Sequence, residues 1–429
     1  MIDIKIIREH PETVLKGLAK KQVKIDLQEI IDLDEEKRNL TVKIDEIRAE
    51  KKKTSQEISK LTAGAKEKRL KELKTKDATM DQMDKEIGKI DTKLQNLLVK
   101  IPNLPHDTVP EGTEAQNVVI KTVGKPTIFD FNIKDHIALG KDLDLIDIER
   151  AVKISGTRFY YLKNEAVQLH FALLNFALSK LMARGFIPVI TPILVKEMAM
   201  YGTGFFPADK NEIYHVNPGE DDLYLIGTSE VPLVSMHANE IFAEKDLPKK
   251  YVGFSTCLRR EAGSYGKDAK GILRVHQFDK VEMVVFSKPE DSYKIHDEIR
   301  EIEEEIFTEL GIPFQVINIA AGDLGAPAAK KYDLEGWIPS ENRYREVTST
   351  SNCTDFQSRR LAIRYKAKDG ENKLVHTLNG TGIAIARALI AILENNQQKN
   401  GSIKIPDVLL PYIGKNKIEK RETRNGKRD

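Results

Sequence analysis

From Ile30 onward the apolar positions fall at Ile30, Leu33, Leu40, Ile44, Ile47, Ile58 and Leu61, with lysines filling some seam positions between them. Counting the polar seam positions in the longer gaps, the steps alternate between three and four residues, the heptad signature of a helix that packs on another helix. Thr62-Ala-Gly64-Ala interrupts the register, and Gly64 suits the end of a helix. A second register follows at Leu70, Leu73, Met80, Met83, Ile87, Ile90, Leu94 and Leu97. Two such helices of roughly 35 residues, joined by a short turn, predict an antiparallel helical hairpin about 50 Å long at 1.5 Å per residue. Ile101-Pro-Asn-Leu-Pro-His ends the second helix, because proline cannot continue one, and a linker runs on to about Lys125.

Beyond the linker the pattern changes to alternating strand-like and helix-like segments. Gln168 to Arg184 reads as an apolar-rich helix, Gly185 to Pro192 as a strand, and Ile295 to Leu310 as an acidic amphipathic helix. Gly253–Leu258 and Val275–Phe286 read as the two strands of a hairpin. The fold class predicted is α+β, with a helical hairpin over 1–108, a mixed domain over 109–414, and a charged tail over 415–429 that lacks apolar periodicity and is expected to be mobile.

A length of 429 residues with 40% hydrophobic positions supports two or three domains with a sizeable core. The net charge of +2 does not announce a nucleic-acid partner in bulk, but Lys51-Lys-Lys53 and Lys66, Lys68, Arg69, Lys71, Lys74 and Lys76 gather near the hairpin tip. Lysines on a long helix commonly form a solvated face; a positive bias at the tip is what phosphate contact requires. Two cysteines, Cys257 and Cys353, rule out a disulfide framework and a cysteine-rich zinc site, and fit buried thiols in a reducing compartment. No uninterrupted apolar run reaches the ~18 residues of a membrane span. The N-terminus has no signal-peptide core and carries Asp3 and Glu9, so a cytoplasmic protein is expected.

Four segments carry candidate chemistry. Side chains alternate along strands, so Arg259 and Glu261 are expected on one face of the hairpin, and Arg274, Phe278 and Glu282 on one face of its return strand. Arginine suits phosphate, an aromatic ring suits a stacked base, and a carboxylate suits an amine. Ile226-Gly-Thr228-Ser-Glu230 opens a helix, with a threonine cap and an acid in the first turn. Glu346-Val-Thr-Ser349 leads into Thr350-Ser-Asn-Cys-Thr-Asp-Phe-Gln-Ser-Arg-Arg360. Leu378-Asn-Gly-Thr381-Gly-Ile-Ala-Ile-Ala-Arg387 places two glycines where a backbone could approach a ligand closely, then an arginine among apolar residues that needs an anion. There is no Gly-x-x-x-x-Gly-Lys-Ser/Thr loop and no Gly-x-Gly-x-x-Gly after a strand. His170, His215, His276 and His376 show no metal-ligand spacing.

The hairpin Cys257-Leu-Arg-Arg-Glu-Ala-Gly-Ser-Tyr-Gly, running on to Arg274-Val-His-Gln-Phe-Asp-Lys-Val-Glu282, resembles motif 2 of the class II aminoacyl-tRNA synthetases in the form seen in seryl-tRNA synthetases. The resemblance runs from Met1 to about Gly414, and the His-x-Gly-His signature of class I synthetases is absent. It implies a coiled-coil arm that grips the long variable arm of tRNA(Ser), followed by a catalytic domain built on an antiparallel sheet flanked by helices. The helix–strand unit ending Ile187-Pro-Val-Ile-Thr-Pro192 matches motif 1, which implies a homodimer. By the same carry-over Thr228, Ser229, Glu230, Glu282 and Thr381 bind serine. Arg259, Arg260, Glu261, Arg274, Val275, Phe278, Glu346, Val347, Thr348, Ser349 and Arg387 bind ATP. Within that set Arg259 takes the α-phosphate, Glu261 the adenine amine, Phe278 the adenine ring, Arg274 and Arg387 the distal phosphates, and Glu282 the serine hydroxyl. Glu346 and Ser349 hold Mg2+ with ATP, and Arg259, Arg387 and Glu346 are the catalytic set. Asn352 helps position the pocket, and the loop Ala262–Gly271 meets the tRNA acceptor end. Thr348 stands where serine is common in the family.

The activity implied is ATP-dependent serylation of tRNA(Ser) through seryl-adenylate, extending to tRNA(Sec). Two alternatives remain at this point: a synthetase-like enzyme that loads a carrier protein, and a catalytically inert coiled-coil interaction module. The arm disfavours the first, and the intact charged residues disfavour the second.

Overall fold

The computed structural model describes residues 1–58, 62–262 and 270–421. The chain divides into two compact units, Met1–Pro102 and Asn103–Asp429.

In the first unit, Asp3 caps the helix Ile4–Glu9 by accepting the Lys5 N–H at 2.9 Å. Pro11 opens the helix Pro11–Lys20, where its missing N–H costs nothing. The two arm helices are Gln28–Ile58 and Ala63–Leu98, of 31 and 36 residues. Lys37 pairs with Asp91 at 2.6 Å, Lys51 with Asp77 and Glu50 with Lys76, so the helices run antiparallel. Ile30 and Ile44 on one helix, and Ile90, Leu94 and Leu98 on the other, are buried in the seam. Nearer the tip the seam turns polar, and Leu70, expected inside it, is 44% exposed. Gly64 does not end the first helix. It lies in the first turn of the second, after Thr62. Ile58 and Leu61 as seam side chains lie outside the described residues. Two of the tip lysines, Lys51 and Lys76, are engaged across the arm, while Lys52, Lys53, Lys66, Lys68 and Lys74 remain exposed.

The second unit is built on eight strands: β1 Val118–Val123, β2 Ile187–Ile190, β3 Lys249–Leu258, β4 Gln277–Ser287, β5 Phe314–Asn318, β6 Lys330–Ile338, β7 Arg343–Asn352 and β8 His376–Ala384. They form one sheet in the order β1-β5-β6-β7-β8-β4-β3-β2, antiparallel throughout except for β2 beside β3. Helices Glu165–Ala183, Ser292–Glu309 and Ile385–Asn395 supply Leu169, Leu173, Ile299, Ile306, Phe307, Leu389 and Ile392 to a core shared with Val281, Met283, Val316, Leu334 and Leu378 of the sheet. Glu165–Ala183 is long and apolar enough to cross a membrane by length and composition, which the unbroken-run criterion missed. Its Leu169, Leu173, Ala177 and Leu181 are buried, as in a core helix.

Two bulges set which side chains reach the open face of the sheet. In β7, Thr348 pairs with Leu334 and Glu346 with Glu335, so Val347 is an extra residue. Glu346 and Ser349, three apart, would otherwise face opposite ways. In β8, Ile383 pairs with Val281 and Thr381 with Glu282, leaving Gly382 as the extra residue. The close approach expected of Gly380 and Gly382 is made to protein instead of ligand. A Cβ at Gly380 would lie 2.3 Å from Ile299 Cγ2 and 2.8 Å from Glu303 Oε1, and one at Gly382 2.9 Å from Leu181 Cδ1.

Residues 415–421 also depart from expectation. Lys417–Ile418 pairs with Ile403–Lys404, Ile418 is buried, and Lys415 and Arg421 both reach Glu165 at 3.1 Å. The remainder of the expected mobile tail, 422–429, lies outside the described residues. Gly380→Ala is expected to destabilise the second unit by about 1–3 kcal/mol, because the helix beneath must shift. Chemical denaturation checks this, and an unchanged midpoint would contradict the packing described.

Candidate active site

The open face of the sheet carries two adjoining cavities of about 570 and 270 Å³. Arg259, Glu261, Arg274, Lys280, Lys331 and Ser349 line both, so they form one cleft with two lobes. Alternation along β4 turns Phe278, Lys280 and Glu282 into the cleft and Val281 and Met283 into the core. Arg274 is not on that strand, which begins at Gln277 instead of Val275. Likewise Arg259 and Glu261 lie past the end of β3, and Glu261 has φ 50°. Loop geometry, not pleat, brings these three together.

The larger lobe is acidic at its floor. Glu230 is 8% exposed and accepts hydrogen bonds from Gln357 Nε2 at 2.8 Å and Asn379 Nδ2 at 3.0 Å. Burial, together with the charge of Glu282, pushes its pKa up to about 7. Glu282 is 2% exposed, sits opposite Thr381 in the β4–β8 pairing, accepts its hydroxyl at 3.4 Å, and is paired with Lys280 Nζ at 2.6 Å. Thr228 Oγ1 accepts the Glu230 N–H at 3.2 Å. Ser229 does not join this lobe. Its hydroxyl donates to the Gly253 carbonyl at 3.4 Å beneath it.

The smaller lobe is rich in cations held on oxygen. Arg259 donates from Nε and Nη2 to the Gly227 carbonyl at 3.2 and 3.1 Å, with its guanidinium 5.1 Å from the Phe278 ring centroid. Arg274 Nη1 donates to Glu261 Oε2 at 2.8 Å. Arg387 Nη1 is 3.0 Å from Glu346 Oε1 and donates to the Glu346 carbonyl at 3.0 Å. Desolvation in the cleft works to raise the Glu346 pKa, but Arg387, Lys331 and Arg259 outweigh it and hold it down at about 2. Val347 packs into the core and Thr348 gives its hydroxyl to Glu303 at 2.8 Å, so neither offers a polar side chain to the cleft. Val275 is likewise a core residue at the rim, and Arg260 is exposed outside both lobes. Asn352 is buried below the cleft, donating to Ser292 Oγ at 3.3 Å. Of the loop Ala262–Gly271, residues 263–269 lie outside the described residues.

Four polar residues of the site were not singled out from sequence. Lys280 had a usable signal, being on the same strand face as Phe278 and Glu282. Asn379 had one too, two residues before Thr381. Lys331, 2.9 Å from Asp333 and facing both lobes, comes from a segment whose local pattern is silent, whereas Gln357, under Glu230, lies inside the Thr350–Arg360 segment.

The fold and this cleft define a class II aminoacyl-tRNA synthetase. A family profile described as the tRNA synthetase class II core domain (G, H, P, S and T) matches residues 213–396, and one described as the seryl-tRNA synthetase N-terminal domain matches residues 1–105. Among curated relatives, the serine–tRNA ligase of Dictyoglomus turgidum is 46% identical over 98% of this chain and 100% of its own. That of Thermobifida fusca is 44% identical over 96% and 98%. Among solved structures, seryl-tRNA synthetase from Pyrococcus horikoshii complexed with ATP superposes with a TM-score of 0.93 at 43% identity, covering 98% of this chain and all of that one. The cytoplasmic enzyme from Naegleria fowleri in complex with AMP gives 0.88 at 33% identity, covering 98% and 99%. The chain belongs to the seryl-tRNA synthetase family.

Glu230 makes a pH prediction. Its folded pKa of about 7 is raised above the ordinary 4.5, so its stabilising contribution is full below 4.5 and is lost as pH rises toward and through 7. The unliganded protein is expected to lose up to about 3 kcal/mol of stability across that window from this group, and Glu230→Gln to flatten the slope. Denaturation midpoints at pH 5 and pH 8 measure it, and equal slopes for both proteins would refute it.

Proposed function

We propose that the protein ligates L-serine to tRNA(Ser) at the expense of ATP, through an enzyme-bound seryl-adenylate. One observation carries the reading: the lobe of buried Glu230 and Glu282 opens directly onto a second lobe that holds Thr381 and a row of cations at Arg259, Arg274, Lys331 and Arg387. The names of the relatives and the ATP and AMP complexes of the structural neighbours support it.

In this reading Glu230, steadied by Gln357 and Asn379, receives the serine ammonium together with Thr228. Glu282 and Thr381 receive the hydroxyl, a hydrogen bond that alanine cannot make, so alanine binds more weakly. Adenine lies on Phe278, with Glu261 taking its amine. Arg259 exchanges the Gly227 carbonyl for the α-phosphate, while Arg274 and Arg387 take the distal phosphates. The serine carboxylate attacks the α-phosphorus in line and pyrophosphate leaves. The terminal ribose hydroxyl of tRNA then takes the acyl group, the acyl–phosphate bond breaks, and AMP leaves with the hydroxyl proton. No side chain is assigned as general base; positioning and charge stabilisation do the work. Glu346, kept ionised, and the Ser349 hydroxyl are hard oxygen donors that suit Mg2+ arriving with ATP. Bound there, the ion would add positive charge against the phosphates.

Two further parts of the reading rest on surfaces. Phe171 and Met182 on one helix, Ile187 and Ile190 on the edge strand β2, and Ile193 just beyond it are 40–87% exposed. An apolar edge of this kind supports a homodimer. The exposed arm lysines support contact with tRNA phosphates, and the N-terminal domain match over 1–105 favours tRNA over a carrier protein as acceptor.

ATP–pyrophosphate exchange tests the core of the proposal. Serine alone should support exchange, and Arg387→Ala should reduce it by about 10²–10³-fold. Exchange with a different amino acid, or with none, would overturn it. Reversing Lys68, Lys71 and Lys74 to glutamate should raise the KM for tRNA about tenfold or more while leaving exchange intact. An unchanged KM would remove the arm's role. Ile190→Asp should convert the dimer to monomer in analytical ultracentrifugation; a species unaltered by it would place the interface elsewhere.

A further inference from the structure

Glu394 lies on the same helix as Arg387, two turns further along, with its side chain fully buried. It is not idle there. Its Oε1 accepts the His136 N–H and the His136 ring Nδ1, both at 2.9 Å, and its Oε2 accepts the Ser340 N–H at 3.1 Å. A carboxylate oxygen facing Nδ1 calls for the tautomer with hydrogen on Nδ1, which leaves a lone pair on Nε2. That lone pair receives the Ile272 N–H at 3.3 Å. The ring lies so close to the neighbouring backbone that a Cβ on Gly271, whose φ is +77°, would come within 2.1 Å of Nε2. From Ile272 the chain runs through buried Leu273 to Arg274, which holds Glu261 at 2.8 Å. One end of this chain of contacts is therefore the helix of Arg387, and the other is the backbone two residues from Arg274.

We infer that His136 is a positioning residue for nucleotide binding: by clamping Ile272 to Glu394 it sets where Arg274 stands relative to Arg387. The inference rests on the reading of both arginines as ATP ligands. His136 touches no substrate, and it precedes the segment that matches the class II core. A neutral hydrogen bond between a ring and a backbone amide is worth enough to hold a buried strap in one place, and a loose strap would cost ATP affinity while leaving Glu230, Glu282 and Thr381, which are held by other elements, in place.

The test separates the two bonds of the ring. His136→Asn keeps an amide N–H near the Nδ1 position for Glu394 but has no atom to meet Ile272. His136→Gln carries an oxygen toward Ile272. In ATP–pyrophosphate exchange, His136→Asn should raise the ATP KM by about tenfold, leave the serine KM unchanged and keep the melting temperature, with partial rescue in His136→Gln. An ATP KM within about twofold of the parent, or ATP and serine KM values rising together with a lowered melting temperature, would overturn the inference. Should His136→Asn fail to fold, Gly271→Ala replaces it, since its Cβ displaces the ring. It is expected to give the same ATP-selective rise, and a rise in neither KM or in both overturns the inference. Arg274→Ala, measured alongside, keeps the underlying reading separate. An unchanged ATP KM there removes Arg274 as an ATP ligand, and this inference with it.

Discussion

Charge in the cleft has to be balanced before any ligand arrives. Arg387 against Glu346 at 3.0 Å, Arg274 against Glu261 at 2.8 Å, Lys331 against Asp333 at 2.9 Å and Lys280 against Glu282 at 2.6 Å are four answers to one requirement. A cation drawn out of water is costly unless an oxygen partner stands beside it. Arg259 is held by the Gly227 carbonyl instead. Each of these cations thus comes with an internal oxygen partner, which the proposed phosphate binding would exchange. The same crowding separates the acids. Glu346, ringed by three cations, is held at about 2, while Glu230, buried beside Glu282, is pushed to about 7.

That arrangement is possible only because one sheet serves two chemistries. Alternate residues of β4 send Val281 and Met283 into a core of leucine, isoleucine and phenylalanine, and Lys280 and Glu282 into the cleft. Strict alternation would have failed at two places. The extra residue Val347 brings Glu346 and Ser349 to the same face, and the extra Gly382 lets Thr381 face Glu282 while Ile383 returns to the core. Glycine at 380 and 382 has a second reason: helix side chains lie too close for any Cβ.

The arm follows a different economy. Ile30, Ile44, Ile90, Leu94 and Leu98 are buried nearer its base, but among the described residues no side chain between Ile44 and Ile90 is buried, and cross-helix pairs of Lys51 with Asp77 and Glu50 with Lys76 take over. Exposed ion pairs contribute little, so this half is expected at the low end of local stability.

Much of this was legible in the residues themselves. Heptad spacing determined the arm and where its helices run, because a helix buries one stripe and its period shows in the sequence. The motifs around Arg259, Phe278, Glu282, Glu346, Thr381 and Arg387 marked the cleft, because phosphate, base and hydroxyl each demand particular side chains. What stayed hidden depended on distance along the chain. Ser229 reads as part of a binding motif yet faces Gly253, and Thr348 faces Glu303. Lys331 and the Glu394–His136–Ile272 chain carry no local signal, and the segment that holds Gln357 does not show that this residue meets Glu230. Their roles arise from neighbours brought together by folding, some as much as 258 residues apart. Local pattern reports the period of an element and the chemistry of a motif; which oxygen meets which nitrogen is settled by packing, bulges and burial, and only the tertiary structure decides those.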